Sequence, residues 1–140
     1  MVRELRDDDI YEVAKMYKAM AKELWKDLAV DDDNVYQREI LSFQTLYKTK
    51  ILVDDKLRGF FIVRDETNPI TPKRKIYNGI VVYIKPEYRH TKLLKEFYDV
   101  LFKLYPDGEI WGVTEYHSEH NKVLLKRHTP VAIVYKLKRS

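Results

Sequence analysis

No cysteine occurs in the 140 residues of the chain. A disulfide framework, a thiolate metal site and a cysteine nucleophile are thereby excluded, which suits a reducing compartment. No apolar run approaches the ~20 residues that a membrane helix needs, so no membrane partner is expected and the expected location is cytoplasmic. Residues 1–9 are charged from the third position onward, and no signal peptide is expected there. Also missing are Gly-x-Ser-x-Gly, a Walker loop and a dinucleotide fingerprint. Without internal repeats, low-complexity stretches or a linker, residues 1–140 read as a single domain.

Hydrophobic residues make up 45% of the chain and aromatics 13%, enough for one core. Tyrosine, with 11 copies against 5 phenylalanines, suits rings half buried with a wet hydroxyl. The 26 basic and 22 acidic residues leave a formal net charge of +4. That balance fits an ordinary charged surface as well as attraction to a polyanion. The cations gather at Lys73, Arg74 and Lys75, at Lys122, Lys126 and Arg127, and at Lys136, Lys138 and Arg139.

Val2 to Leu5 suits a short first strand. Asp9 and Glu12 have the spacing of a capping box. Behind them Ile10, Val13, Ala14, Tyr17, Ala21 and Leu24 recur at helical spacing, which predicts a helix over 9–26. A second helix is predicted over 34–47, with Tyr36, Ile40, Phe43 and Tyr47 on one face. Residues 50–53 and 57–63 read as a hairpin closed by Asp54-Asp55-Lys56. The stretch 76–84 reads as a strand buried on both sides, with Gly79 marking a bulge or a close backbone approach. Leu94, Phe97, Leu101 and Leu104 mark a third helix, stopped by Pro106-Asp107-Gly108. A strand over 110–114, a short helix from Ser118 and a strand over 131–137 complete the order β-α-α-β-β-β-α-β-α-β. The strand–helix–strand unit at 76–114 should be a parallel crossover.

The chemistry concentrates where the strand ending at Ile84 runs through a short loop into a helix. The first amides of a helix are unpaired and its dipole is positive there, so such a junction can receive an anion. Arg89 and Lys92 add charge, and Thr91 offers a hydroxyl. Every strand-to-helix junction carries such amides, and a simple cap is the ordinary alternative.

Ile84-x-Pro86-x-Tyr88-Arg89, followed by His90-Thr91-Lys92-Leu93-Leu94, resembles the GNAT superfamily of acyl-CoA-dependent N-acyltransferases. That family carries an apolar-x-Pro-x-Tyr-Arg strand end and an Arg/Gln-x-x-Gly-x-Gly/Ala loop that opens a helix. The element order is similar over nearly the whole chain. The resemblance implies an α/β (α+β) fold, a mixed central sheet with helices on both faces, and acetyl-CoA as co-substrate. It implies that Val82, Tyr83 and Ile84 pair with the pantetheine arm. It places the pyrophosphate at Arg89, His90, Thr91, Lys92, Leu93 and Leu94. Lys92 and Leu94 depart from the family pattern, standing at the two glycine positions. Leu94 either crowds the cofactor or turns into the core.

The family's later asparagine, and the tyrosine seven residues after it, can be matched in two registers. One makes Asn121 the asparagine and puts His128 at the tyrosine position. The other puts Leu124 there. Neither keeps the tyrosine. The resemblance also makes the first two helices the walls of an acceptor pocket, whereas simple core packing accounts for Ile10, Val13 and Tyr17.

Amine acylation needs a base and an acid near the thioester. Glu115, Tyr116 and His117 follow the strand that ends at Thr114; Glu115 is a candidate base, and Tyr116 or His117 a candidate acid. Each is equally well a solvated loop side chain. His117 and His120 share helical spacing, but no motif supports a metal site and none is expected. Three functions compete. The first is an N-acetyltransferase acting on an amine of a protein or small molecule. The second is a non-catalytic binding domain of the same fold, similar to compact members encoded by some viruses. The third is a nucleic-acid binder, disfavoured by the lack of an aromatic stacking motif.

Overall fold

The computed structural model describes residues 1–112, 129 and 136–139. Strand β1 (Val2–Glu4) leads through a single 3-10 turn, Asp7–Asp9, into α1 (Ile10–Trp25). After a second 3-10 turn, Lys26–Leu28, comes α2 (Asp33–Thr45). Then come β2 (Thr49–Asp54), β3 (Gly59–Asp65), β4 (Ile76–Ile84), α3 (Leu93–Leu104) and β5 (Glu109–Gly112). The described strands form one sheet in the order β1-β2-β3-β4-β5. The first four pair antiparallel and β5 joins β4 in parallel, so the expected crossover through α3 is present.

Strand alternation sorts the core into two layers. Phe60 and Ile62 of β3, with Ile51 and Val53 of β2, pack under α1 and α2 beside Val13, Met16, Tyr36 and Ile40. Phe61 and Val63, with Leu52 and Tyr77, pack under α3 against Leu93, Phe97 and Leu101. Helices therefore cover both faces of a mixed sheet. Phe97 and Leu101 are wholly buried, each contributing about 1.5–3 kcal/mol of apolar transfer.

Gly79 stands at the bulge its position suggested. The pairing of β3 with β4 slips between Ile62 and Val63, so Gly79 faces Val63, Val81 faces Ile62 and Ile80 is extra. Ile80 and Val81 consequently both lie against the α1/α2 layer. A side chain on Gly79 would press on the Phe61 ring, 3.0 Å away.

Several expectations are corrected. The box between Asp9 and Glu12 does not form. Asp9 turns back instead, accepting the Arg6 amide at 2.8 Å and the Arg3 guanidinium at 2.6 and 3.0 Å, while Glu12 pairs with Lys15. A bidentate cation within reach is a stronger partner than a backbone N–H. Helix α2 is capped by Asp32, whose side chain accepts the Asn34 amide at 3.0 Å. It ends at Thr45, which leaves Tyr47 outside the helix and 78% exposed. Strand β4 is not buried on both sides throughout, since Val82 is 46% exposed. The buried stripe of α3 is Leu93-Phe97-Leu101. Leu94 flanks it half buried, and Leu104 faces solvent. Lys136 and Leu137, assigned to the last strand, have no regular structure and are exposed. The helix from Ser118, the rest of that strand, and Val113 and Thr114 lie outside the described residues.

Candidate functional site

The site is built on the end of β4. One edge of this strand is paired with β3 from Tyr77 to Ile84. The other edge holds β5 only from Ile76 to Gly79. From Ile80 onward, that second edge carries no strand among the described residues. The bulge lies at this same point, and its extra residue increases twist and bends β4. An open strand edge presents backbone donors and acceptors to whatever extended chain lies along it.

Beyond Ile84 the backbone tightens. The Lys85 amide is tied to the Arg58 carbonyl at 2.9 Å. Pro86 opens a single 3-10 turn to Tyr88, its fixed φ and missing N–H suiting that place. Thr91 closes the loop by donating its hydroxyl to the Tyr88 carbonyl at 2.6 Å and accepting the Leu93 amide at 3.3 Å. The first helical bond of α3 runs from the Glu96 amide to the Lys92 carbonyl at 3.0 Å. The amides of His90, Lys92, Leu94 and Lys95 have no hydrogen-bond partner among the described residues. These amides lie in the last loop residues and first turn of a 12-residue helix, where backbone N–H groups suit an anion. Lys92 adds an exposed cation outside any described ion pair.

Neither departure from glycine distorts this loop. Lys92 has φ −80° and ψ 7°. Among the described residues only Lys26, Lys48 and Leu57 have positive φ. Leu94 packs on the α3 layer.

Arg89 is differently placed from the sequence expectation. Its Nε donates to the Ile84 carbonyl at 2.9 Å. Its two terminal nitrogens donate to the carboxylate of Glu23 at 2.5 and 2.7 Å. The guanidinium thus turns towards α1. It also lies 5.5 Å from the centre of the Tyr83 ring. Burial first, then the nearby Glu23 charge, pushes the Tyr83 phenol up against an opposing pull from Arg89. Tyr83 therefore stays a neutral hydroxyl at physiological pH.

On the α1 side of this junction runs an open groove of about 300 Å³. Glu12, Lys15, Met16 and Ala19 form one wall, and Tyr83, Lys85, Pro86 and Glu87 the other. The resemblance anticipated a pocket wall on the first helices, but sequence reading did not single out Glu23 or which face of α1 forms that wall. The available signal was spacing: 12, 15/16, 19 and 23 make one helical stripe. It runs beside the apolar stripe and carries two carboxylates.

The structure thus brings Val82, Tyr83, Ile84 and residues 89–94 together. Glu115, Tyr116, His117 and Asn121 lie outside the described residues. Among the described residues, no three His, Asp or Glu side chains are grouped to hold a metal, and no helix is long and apolar enough to cross a membrane.

No protein-family model and no curated protein matches the sequence. Solved structures do match over its whole length. A possible acetyltransferase from Clostridium difficile 630 superposes with a TM-score of 0.77 at 18% identity, covering 100% of this chain and 97% of its own. A ribosomal-protein-alanine N-acetyltransferase from Brucella melitensis biovar Abortus 2308 gives 0.76 at 18% identity, with the same coverage. An aminoglycoside acetyltransferase from an uncultured soil metagenomic sample, in complex with sisomicin, gives 0.68 at 10% identity, covering 99% and 96%. The chain has the mixed α/β fold of the GNAT-type acetyltransferases.

Proposed function

We propose that the protein is an N-acetyltransferase that carries an acetyl group from acetyl-CoA to an amine. The observation that carries this reading is the junction, among the described residues, of a β4 edge without a strand partner and four amides without hydrogen-bond partners around the start of α3. The amides of His90, Lys92, Leu94 and Lys95 hold the diphosphate, helped by the Lys92 ammonium. The pantetheine arm lies along Val82, Tyr83 and Ile84, with Asn121 as a further cofactor contact. The acceptor enters through the groove between α1 and the end of β4, whose charged lining is two glutamates, Glu12 and Glu87, and two lysines, Lys15 and Lys85.

The chemistry is acyl transfer. A neutral amine nitrogen forms a bond to the thioester carbonyl carbon, the C–S bond breaks, the amine loses one proton and the thiolate gains one. Glu115 is the proposed base, and Tyr116 or His117 the proposed acid. The acetyltransferases of similar fold act on acceptors as different as a ribosomal-protein alanine and an aminoglycoside, so the acceptor is sought with a panel of both kinds.

A ligand at 100 times its Kd stabilises by about 2.7 kcal/mol, which raises the Tm of a domain this size by roughly 9 °C. The test is a melt with acetyl-CoA, followed by thiol release with peptide and small-molecule amines. A melt unmoved by millimolar acetyl-CoA overturns the reading.

A further inference from the structure

The stripe that walls the groove continues one turn beyond Ala19 to Glu23, two residues before α1 ends at Trp25. From Glu12 to Glu23 it spans about 16 Å at 1.5 Å per residue. Its far end is tied to the cofactor loop by two hydrogen bonds to Arg89. The end of α1 and the turn after it have little burial of their own: Leu24, Trp25 and Leu28 are 56%, 47% and 87% exposed. Lys26 sits at φ 46° and ψ −117°, a left-handed conformation that costs a non-glycine residue about 1–3 kcal/mol and persists only where neighbouring contacts enforce it. Lys22 supplies some of those contacts, reaching Asp31 and the Ala29 carbonyl. The Glu23–Arg89 pair is the described ion pair that joins this turn to the loop.

We propose that Arg89 is a positioning residue rather than a phosphate ligand. With Glu23 it forms a pin that holds the last turn of α1 against the loop of residues 89–94. The guanidinium fork is filled by one carboxylate and one carbonyl, the geometry in which arginine binds most rigidly. A diphosphate on the helix amides leaves the pin in place. The wall of the groove and the cofactor loop then move as one body. A ligand on either side biases the other by the same factor. This functional meaning rests on the acetyltransferase reading; the pin itself does not.

The test uses Glu23→Gln, Arg89→Gln, their double variant and the charge swap Glu23→Arg/Arg89→Glu, with Arg89→Lys standing in should Arg89→Gln fail to fold. The first readout needs no ligand: amide hydrogen exchange over residues 23–29. Each single variant should exchange about threefold faster, as for a partly exposed pair. The double variant should be no faster, and the swap should return towards wild type. Unchanged exchange in the single variants overturns the pin. The second readout is titration with acetyl-CoA. A pin makes both single variants weaken binding alike. A phosphate-binding arginine makes them diverge: Glu23→Gln frees the guanidinium and tightens binding while Arg89→Gln weakens it, and that divergence overturns the proposal. Absence of acetyl-CoA binding in the wild type removes the acetyltransferase reading and leaves the exchange data to decide the pin.

Discussion

Replacing Lys92 by aspartate moves stability and cofactor binding in opposite directions. Lys92 stands at the start of α3, makes no capping bond, and precedes amides at Leu94 and Lys95 that have no partner among the described residues. A cation at a helix N-terminus is unfavourable and an anion favourable by about 0.3–1 kcal/mol each. The exchange should therefore stabilise the free protein by about 1 kcal/mol, or roughly 3–6 °C in Tm. A diphosphate on those amides meets the reverse. At about 6 Å in water each unit pair is worth roughly 0.7 kcal/mol. A swing of two charges against two negative charges is then about 2.8 kcal/mol before salt, and about half of that at a Debye length of 10 Å. That is roughly a tenfold loss of affinity. Melts with and without acetyl-CoA read the first effect, and calorimetric titration the second. A variant that melts lower when free, or that binds acetyl-CoA as well as wild type, refutes the assignment of these amides.

Asp9 and Asp54 predict acid lability. Hydrogen bonds from Arg3 hold the Asp9 carboxyl below its usual value. Burial pushes Asp54 up, but side-chain and backbone bonds from Arg58 outweigh it and leave the net shift downward. Folded values below the unfolded one, about 4, add stability above that pH and lose it as pH falls through the folded values. Urea midpoints from pH 7 to 3 should fall more steeply in wild type than in Arg3→Gln/Arg58→Gln; equal slopes contradict this. Phe97→Ala, at a wholly buried ring, should cost about 3–5 kcal/mol by urea denaturation. Gly59→Ala places a methyl 2.7 Å from the Tyr83 carbonyl. It should cost about 1–3 kcal/mol and lower acetyl-CoA affinity, because the displaced backbone is the end of β4; an unchanged titration counts against the strand-edge assignment.

Strand β4 is legible to the residue. Its β-branched run is bounded by Lys75 on one side and Lys85-Pro86 on the other, so local chemistry alone sets both ends. Helix α1 is legible because its apolar period is sustained for four turns. The α3 stripe keeps Phe97 and Leu101 where they were expected and changes its first member, because Leu93 and Leu94 are equally apolar neighbours and only packing against Phe61 and Tyr77 chooses between them. Asp9 and Arg89 depart from expectation for one shared reason. Their partners, Arg3 across a turn and Glu23 at a separation of 66 residues, are chosen by the fold. A local pattern ranks the nearest backbone group or the expected ligand first.

Glycine serves a phosphate loop in two separable ways, by allowing positive φ and by letting the backbone approach closely. The first is not needed here, because Lys92 is right-handed and Thr91, through its bonds to Tyr88 and Leu93, holds the turn. The second depends on where the side chains go. Leu94 lies against the α3 layer, and the exposed ammonium of Lys92 adds attraction where a glycine adds only room. With Arg89 drawn to Glu23, the proposed recognition of an anion by this loop rests on amides and one lysine. An amide cradle is directional and a lysine is a mobile point charge. Substituting Lys92 therefore tunes affinity, whereas displacing the amides removes the site.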